Sequence, residues 1–376
     1  MRTSKWITSG LLALGLAACG GESEDAGRLA AYRAAIPSES RLSAAEPDDG
    51  STRALNDRAE YPGHARGLIL GVNGSVRGIV RLMKAITDLP PTVFNSDTKE
   101  YVWGPWDNED EGGGKVAAYI KEEAEGADFK YSYALLRGVG NDLATFVPVI
   151  WGGATPDPDN EDRGVGVTLW DFEANHTFAE AHDPLYSENA FDRGRFVVLY
   201  GAERAEDDNG EFAYVVAVFR NFIAKDSPND LPGDLDYFYG KYMADNGTNI
   251  DFVDIDAQTD ISEPLDATAE NMHLRLAFLD MGQGRAEASA SNGSIDAGMT
   301  YSATECWGPT VRRTFFEGVV TDASNESSIV ASEGTEAACG DVFQNSLDEL
   351  GIPSLADVDP ALLTAMGDVA ETGILP

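Results

Sequence analysis

The sequence predicts a mainly β protein, an antiparallel meander bent into a curved open or half-closed barrel around one apolar helix, with a two-sheet β-sandwich as the alternative. Three observations predict it. Beyond residue 125 the hydrophobic period is twofold, as where Phe129, Tyr131, Tyr133 and Leu135 alternate with Lys130, Ser132 and Ala134. The segments follow one another at hairpin spacing, and DDNG at 207–210 between RFVVLY and FAYVVAV is a turn sequence that calls for a direct antiparallel hairpin. Strands such as FVVLY and YVVAV are apolar on both faces, so one face packs on the helix and the other is covered or lines a cavity.

The chain begins MRTSKWITSGLLALGLAACGG. Arg2 and Lys5 form a basic start, Trp6 to Leu16 an apolar core too short to span a bilayer, and Ala17-Ala18 the small residues that a signal peptidase requires. LAAC resembles the lipobox of bacterial lipoproteins, which implies that residues 1–18 are removed and that the Cys19 thiol carries a diacylglyceryl group. Several acyl chains together hold a protein to a membrane where one holds it marginally. Gly20, rather than Asp, follows the cysteine, and by the same resemblance this favours the outer membrane, with either its periplasmic or its surface side open.

Loss of Arg2 and Lys5 leaves 25 basic against 64 acidic residues, a formal charge of −39. Phosphate recognition needs clustered Lys and Arg, and here the basic residues are scattered, so nucleic acid is excluded as a partner. The acidity suits a solvated exterior, with a cationic or Ca²⁺ partner as the sharper reading. Protein partners are not legible.

Residues 19–60 have the polar, aromatic-poor composition of a flexible tether with at most a short helix near Arg28 to Ala35. Residues 61–343 form the β-rich domain, and 344–376 a helical tail with helical spacing in Leu362, Leu363 and Met366. Within the domain, about 67–88 is the one strong helix: Leu68, Ile69, Val72, Val76, Ile79, Val80, Met83 and Ile86 recur at three- and four-residue steps, and Pro90-Pro91 end it. Gly67, Gly71, Gly74 and Gly78 form a ridge of small residues that would let another backbone approach, and a core helix laid against the sheet is the expectation.

Cys306 and Cys339 are the remaining cysteines, and in an exported chain a leftover pair reads as a disulfide. LPPTVF followed by YVWGPW, then GGATPDPDNEDRGVGVTLWDF, ECWGPTVRRTFFEG and a GTEAAC segment resemble the layout of uncharacterised lipoproteins of myxobacteria and related predatory or marine bacteria, over most of residues 64–343. That resemblance implies the anchor at Cys19, the Cys306–Cys339 bridge and a β-rich body, and no activity. The architecture alone is similar to half-barrel lipoprotein carriers that hold acyl chains in an unclosed sheet, although shape does not assign function.

The chain has no GxSxG elbow, HExxH, P-loop or Rossmann glycine pattern, and it implies no cofactor. His176 and His182 read as surface residues at strand ends. DPDNEDRG imitates a calcium loop through Asp157, Asp159 and Glu161, but Asp162 stands at the sixth position and Thr168 at the twelfth; a polar hairpin tip is the plainer reading. Three function classes follow. The first is a binding module for an apolar or lipid-like molecule, held between Val76 and the sheet with Arg77, Arg81 and Lys84 at the rim to meet an anionic head group. The second is a structural or surface-interaction lipoprotein with a solid core. The third, least favoured, is a hydrolase with an unrecognised carboxylate or metal site.

Overall fold

A computed structural model describes residues 22–36, 39, 43–47, 58–108, 112–157, 164–204, 210–225, 232–244, 249–260 and 268–373. Fifteen strands run β1 (Val93–Asn95), β2 (Glu100–Asp107), β3 (Gly114–Glu122), β4 (Tyr131–Val139), β5 (Val147–Pro156), β6 (Gly164–Asp171), β7 (Arg193–Arg204), β8 (Gly210–Ile223), β9 (Gly233–Ala244), β10 (Asn249–Thr259), β11 (Glu270–Leu279), β12 (Gly284–Ser291), β13 (Thr300–Trp307), β14 (Arg313–Thr321) and β15 (Ser327–Gly334). Each pairs with the next in one antiparallel sheet, and β1 and β15 are its two edges, so the meander is open. The β7–β8 ladder runs from Arg193↔Ile223 to Arg204↔Glu211, the direct hairpin that the turn sequence calls for; residues 205–209 themselves lie outside the described residues.

The long helix spans Tyr61–Thr87, starting six residues before the periodicity predicts. Pro62 is tolerated in the first turn because its missing N–H has no intrahelical partner there. The side chain of Glu60 makes no cap. The free N–H groups of Glu60 and Tyr61 instead donate to the Glu305 carboxylate on β13 at 2.8–3.1 Å, where negative charge also suits the helix dipole. At the other end Arg33 donates to the carbonyls of Thr87, Asp88 and Leu89, and the Trp103 indole of β2 donates to Leu89 O.

The helix therefore runs from β13 to β2. Its 27 residues cover about 40 Å at 1.5 Å per residue, whereas the eleven strand spacings between those points make roughly 53 Å along the sheet. The sheet bows away from the helix, and the space between is filled by one apolar core. Ile69, Val72, Val76, Val80, Met83 and Ile86 enter it from the helix, and Trp103, Tyr133, Phe196, Tyr200, Phe219, Tyr237 and Trp307 from the sheet. The glycine ridge is exposed: among the described residues a Cβ at Gly67, Gly71 or Gly74 would meet nothing, and one at Gly78 would touch only the Trp170 ring of β6. The expected close backbone approach is absent there, because the ridge is exposed and the helix meets the sheet through its large apolar side chains instead.

The convex face carries a second core. Leu169, Val197, Val216, Val218, Phe238 and Phe252 are covered by Phe343, Leu347, Leu355, Met366, Val369 and Ala370. The chain after β15 crosses the outside of the sheet as a strap and ends in a helix, Pro360–Thr372. It is tied to one strand after another: the Cys306–Cys339 disulfide at β13, Arg285 to Phe343 O at β12, Arg275 to Ile352 O at β11, the Leu355 N–H to Asp254 at β10, and Arg195 to Glu371 O at β7.

The described part of 19–60 does not behave as the expected free tether. Glu22–Arg33 is helical, Tyr32 is 2 % exposed and donates to Lys99 O, and Ala35, Ile36, Ala44 and Ala59 are buried. Small apolar residues in an otherwise polar stretch suffice to seat the chain once a helix and a sheet edge supply the complementary surface.

Candidate functional site

The concave core is where a ligand between helix and sheet would sit, and its occupants follow from strand register. Cross-strand partners share a face, so Val198, Ala217, Tyr237, Ile255 and Leu274 form one row, and Tyr200, Val215, Tyr239, Val253 and Leu276 the next. Val76 is fully buried against this layer. Arg77, Arg81 and Lys84 are on the outward side of the helix. Arg77 pairs with Glu46 at 3.5 Å and Arg81 with Glu39 at 2.8 Å, and Lys84 is exposed. Beside them Asn73 is completely buried and exchanges two hydrogen bonds with the Ala44 backbone. The structure thus brings Arg77 and Arg81 to Glu46 and Glu39 and leaves Val76 on the other side of the helix.

Polar groups inside the trough are mostly matched. Tyr133 shares a short hydrogen bond of 2.5 Å with Thr168, and its burial pushes its phenol up to about 12. Tyr239 donates to Asp251 at 2.5 Å; burial is the main cause that raises both groups. The Tyr237 hydroxyl is buried with no hydrogen-bond partner among the described residues, and burial raises it strongly.

Two depressions of about 350 Å³ open on the outside of the molecule. One is apolar, between Val147 and the helix Phe172–His182, and includes Ala174, Phe178, Ala181 and Arg195. The other lies at one end of β8–β11 and includes Arg220, Asp234, Asp236, Asp256, Gln258 and Asn271. There Asp256 is set directly across from Asp236 and from His273. Arg220 donates to Asp236 at 2.6 Å. Burial, with Asp254 and Asp236 adding to it and His273 opposing, holds the Asp256 carboxyl above the ordinary aspartate range. The strand ends thus set two carboxyl groups side by side on neighbouring strands, one of them bound by arginine. The sequence signal was GDLDY, FVDID and MHLRL, where charge recurs at every second residue of otherwise apolar strands and so falls on one face; it was missed because each segment alone reads as an ordinary strand.

Cys19, Asp159 and Glu161 lie outside the described residues, and Asp157 is described at the end of β5. Among the described residues no group of three His, Cys, Asp or Glu side chains converges to hold a metal. His176 is not at a strand end: it sits buried on the helix Phe172–His182 with its Nε2 2.6 Å from the Tyr186 hydroxyl, while His182 packs on Phe178. No described helix is long and apolar enough to cross a membrane. No family model, curated protein or solved structure matches the chain.

Proposed function

We propose that the protein is an exported lipoprotein, held to the bacterial outer membrane by acylated Cys19, whose β body is a solid-cored scaffold that acts through its outer surface. The observation that carries the solid-core reading is the fit of the helix: Ile69, Val76, Val80 and Met83 are all at most 1 % exposed within the aromatic layer of the sheet. Interiors packed in this way leave few voids larger than a water molecule. Two depressions of ligand size open at the strand ends of β8–β11 and beside the helix Phe172–His182. A second reading, an apolar ligand between helix and sheet, has one observation in its favour, the unmatched Tyr237 hydroxyl in that layer.

Titrating the purified protein with a fluorescent fatty acid separates the two. The solid-core reading expects no saturable binding and no lipid by mass spectrometry beyond the chains on Cys19. Saturable binding that Val76→Trp weakens without unfolding the protein would overturn it in favour of the ligand reading. The anchor is tested apart: Cys19→Ala should release the protein from detergent-phase membranes, and an acyl-free wild-type Cys19 would remove it.

A further inference from the structure

Cys19 stands three residues before the helix Glu22–Arg33, and that helix is fixed to the body. Arg28 donates to the Tyr101 hydroxyl at 3.1 Å and lies 4.1 Å over the Phe94 ring of β1. One turn later Tyr32 packs on Tyr101 and Tyr131 and donates to Lys99 O, and Arg33 holds the carbonyls of Thr87, Asp88 and Leu89. Traced backwards, the contacts of the helix pass from β4 and β2 to β1, the first edge of the sheet. The residues from Arg28 back to Glu22 carry it about 9 Å further at 1.5 Å per residue, roughly two strand spacings. Its start therefore projects past that edge.

We propose that the first edge of the sheet is the face that rests on the membrane, held there because acylated Cys19 joins the body through too short a chain for the body to lift away. This rests on the anchor reading given above and adds to it the surface that meets the lipid. Three residues span at most about 10 Å, whereas a flexible tether over 19–60 would allow roughly 35 Å. Covalent reach thus selects the occupant: the bilayer that takes the acyl chains must lie beside the edge from which the helix emerges. The opposite end of the long helix, at β13, is about 40 Å away. The edge also has a surface that suits lipid headgroups. Leu89–Ser96 is a run without charge in a chain of formal charge −37, and Pro90, Thr92, Val93, Asn95 and Ser96 within it are exposed, Val93 at 52 %. Asp88 and Asp97 bound the run, and the cost of burying either carboxylate keeps the contact at headgroup depth.

The test uses the full acylated chain in phosphatidylcholine vesicles that contain a headgroup-spin-labelled lipid. With Cys19 acylated and Cys306 bridged to Cys339, Val93→Cys, Met281→Cys and Ile329→Cys each offer one thiol to a bimane fluorophore, and all three positions are exposed. Because the chain from Cys19 keeps the first edge within a short reach of the lipid, bimane at 93 should be quenched about threefold more than at 281 or 329, with melting temperatures unchanged. A flexible Gly-Ser linker of about 20 residues inserted between Gly21 and Glu22 should abolish that difference while the protein stays on the vesicles. Equal quenching at the three positions in acylated, vesicle-bound protein would overturn the orientation and leave the anchor standing, and a difference that survives the linker would overturn the role of the short chain. A Cys19 without acyl groups would remove the anchor and this inference with it.

Discussion

The two faces of the sheet are both covered, and by opposite means. The concave face is covered by volume: one helix inserts aliphatic side chains into a layer of aromatic ones, and the contacts there are almost wholly apolar. The convex face is covered by a strap whose backbone is caught by side chains of successive strands, with Arg285, Arg275, Asp254 and Arg195 each taking a carbonyl or an N–H. The difference teaches where each kind of residue is needed. A regular helix satisfies its own backbone and needs only a complementary shape. An irregular segment laid on a buried surface brings unpaired backbone groups, and the surface beneath must supply their partners.

If that is right, the faces should break differently. The largest effect belongs to the strap's covalent end. Removing the Cys306–Cys339 bridge, 33 residues apart, should cost about 3 to 4 kcal/mol through the entropy of the unfolded chain. Protease should then cut within 340–372 before the rest; cleavage that begins in the strands instead would contradict strap release.

On the concave face Ile69→Ala should cost about 3 kcal/mol by cavity formation. The loss should be global, with no selective exposure of the strap to protease. Asp254→Ala comes next, at about 2 kcal/mol, because it leaves the buried Leu355 N–H and His273 without their acceptor; hydrogen exchange at Leu355 should accelerate more than at Val76.

A smaller effect depends on pH. The hydrogen bond to Asp254, 2.7 Å away, holds His273 above its usual value. A histidine raised in the folded state contributes stability below its unfolded pKa of about 6.5, and that contribution is lost as pH rises through the folded value. The unfolding midpoint should therefore fall between pH 6 and 8 more steeply in the wild type than in His273→Gln. The smallest change is expected at Arg81, whose pair with Glu39 is largely solvent-exposed. Arg81→Ala should leave the melting temperature unchanged within measurement error, and a clear loss would mean that Glu39 and the described residues 43–47 are held chiefly by ion pairs.

Much of the fold was legible because its signals are local. The three- and four-residue recurrence of Ile69, Val76, Val80 and Met83 is one, and the two-faced apolarity of FVVLY and YVVAV another. β12 and β13 were not legible: GRAEASAS and TYSATECW are rich in small and polar residues, and they are strands because neighbours on both sides complete their ladders. Trp103-Gly104-Pro105 reads as a turn and is a bulge within β2, with Gly104 at φ +82° where a Cβ would come 2.7 Å from the Val116 carbonyl oxygen of β3. Of the proposed ligand site, the burial of Val76 could be read from the helical pattern. That Arg77 and Arg81 meet Glu46 and Glu39 could not, since nothing in a tether-like composition says where it packs.

By itself the sequence determined the secondary-structure class, the helix and its apolar stripe, the antiparallel order imposed by short connections, and the single cysteine pair available for a bridge. The tertiary structure alone decided that the helix begins at Tyr61, under a carboxylate 244 residues away. It also decided that the strap lies across the convex face. The physical reason is range. Periodicity and turn chemistry act over a few residues and are written in neighbours, whereas caps, straps and edges are settled by polar groups that meet only after the sheet has bowed around its helix.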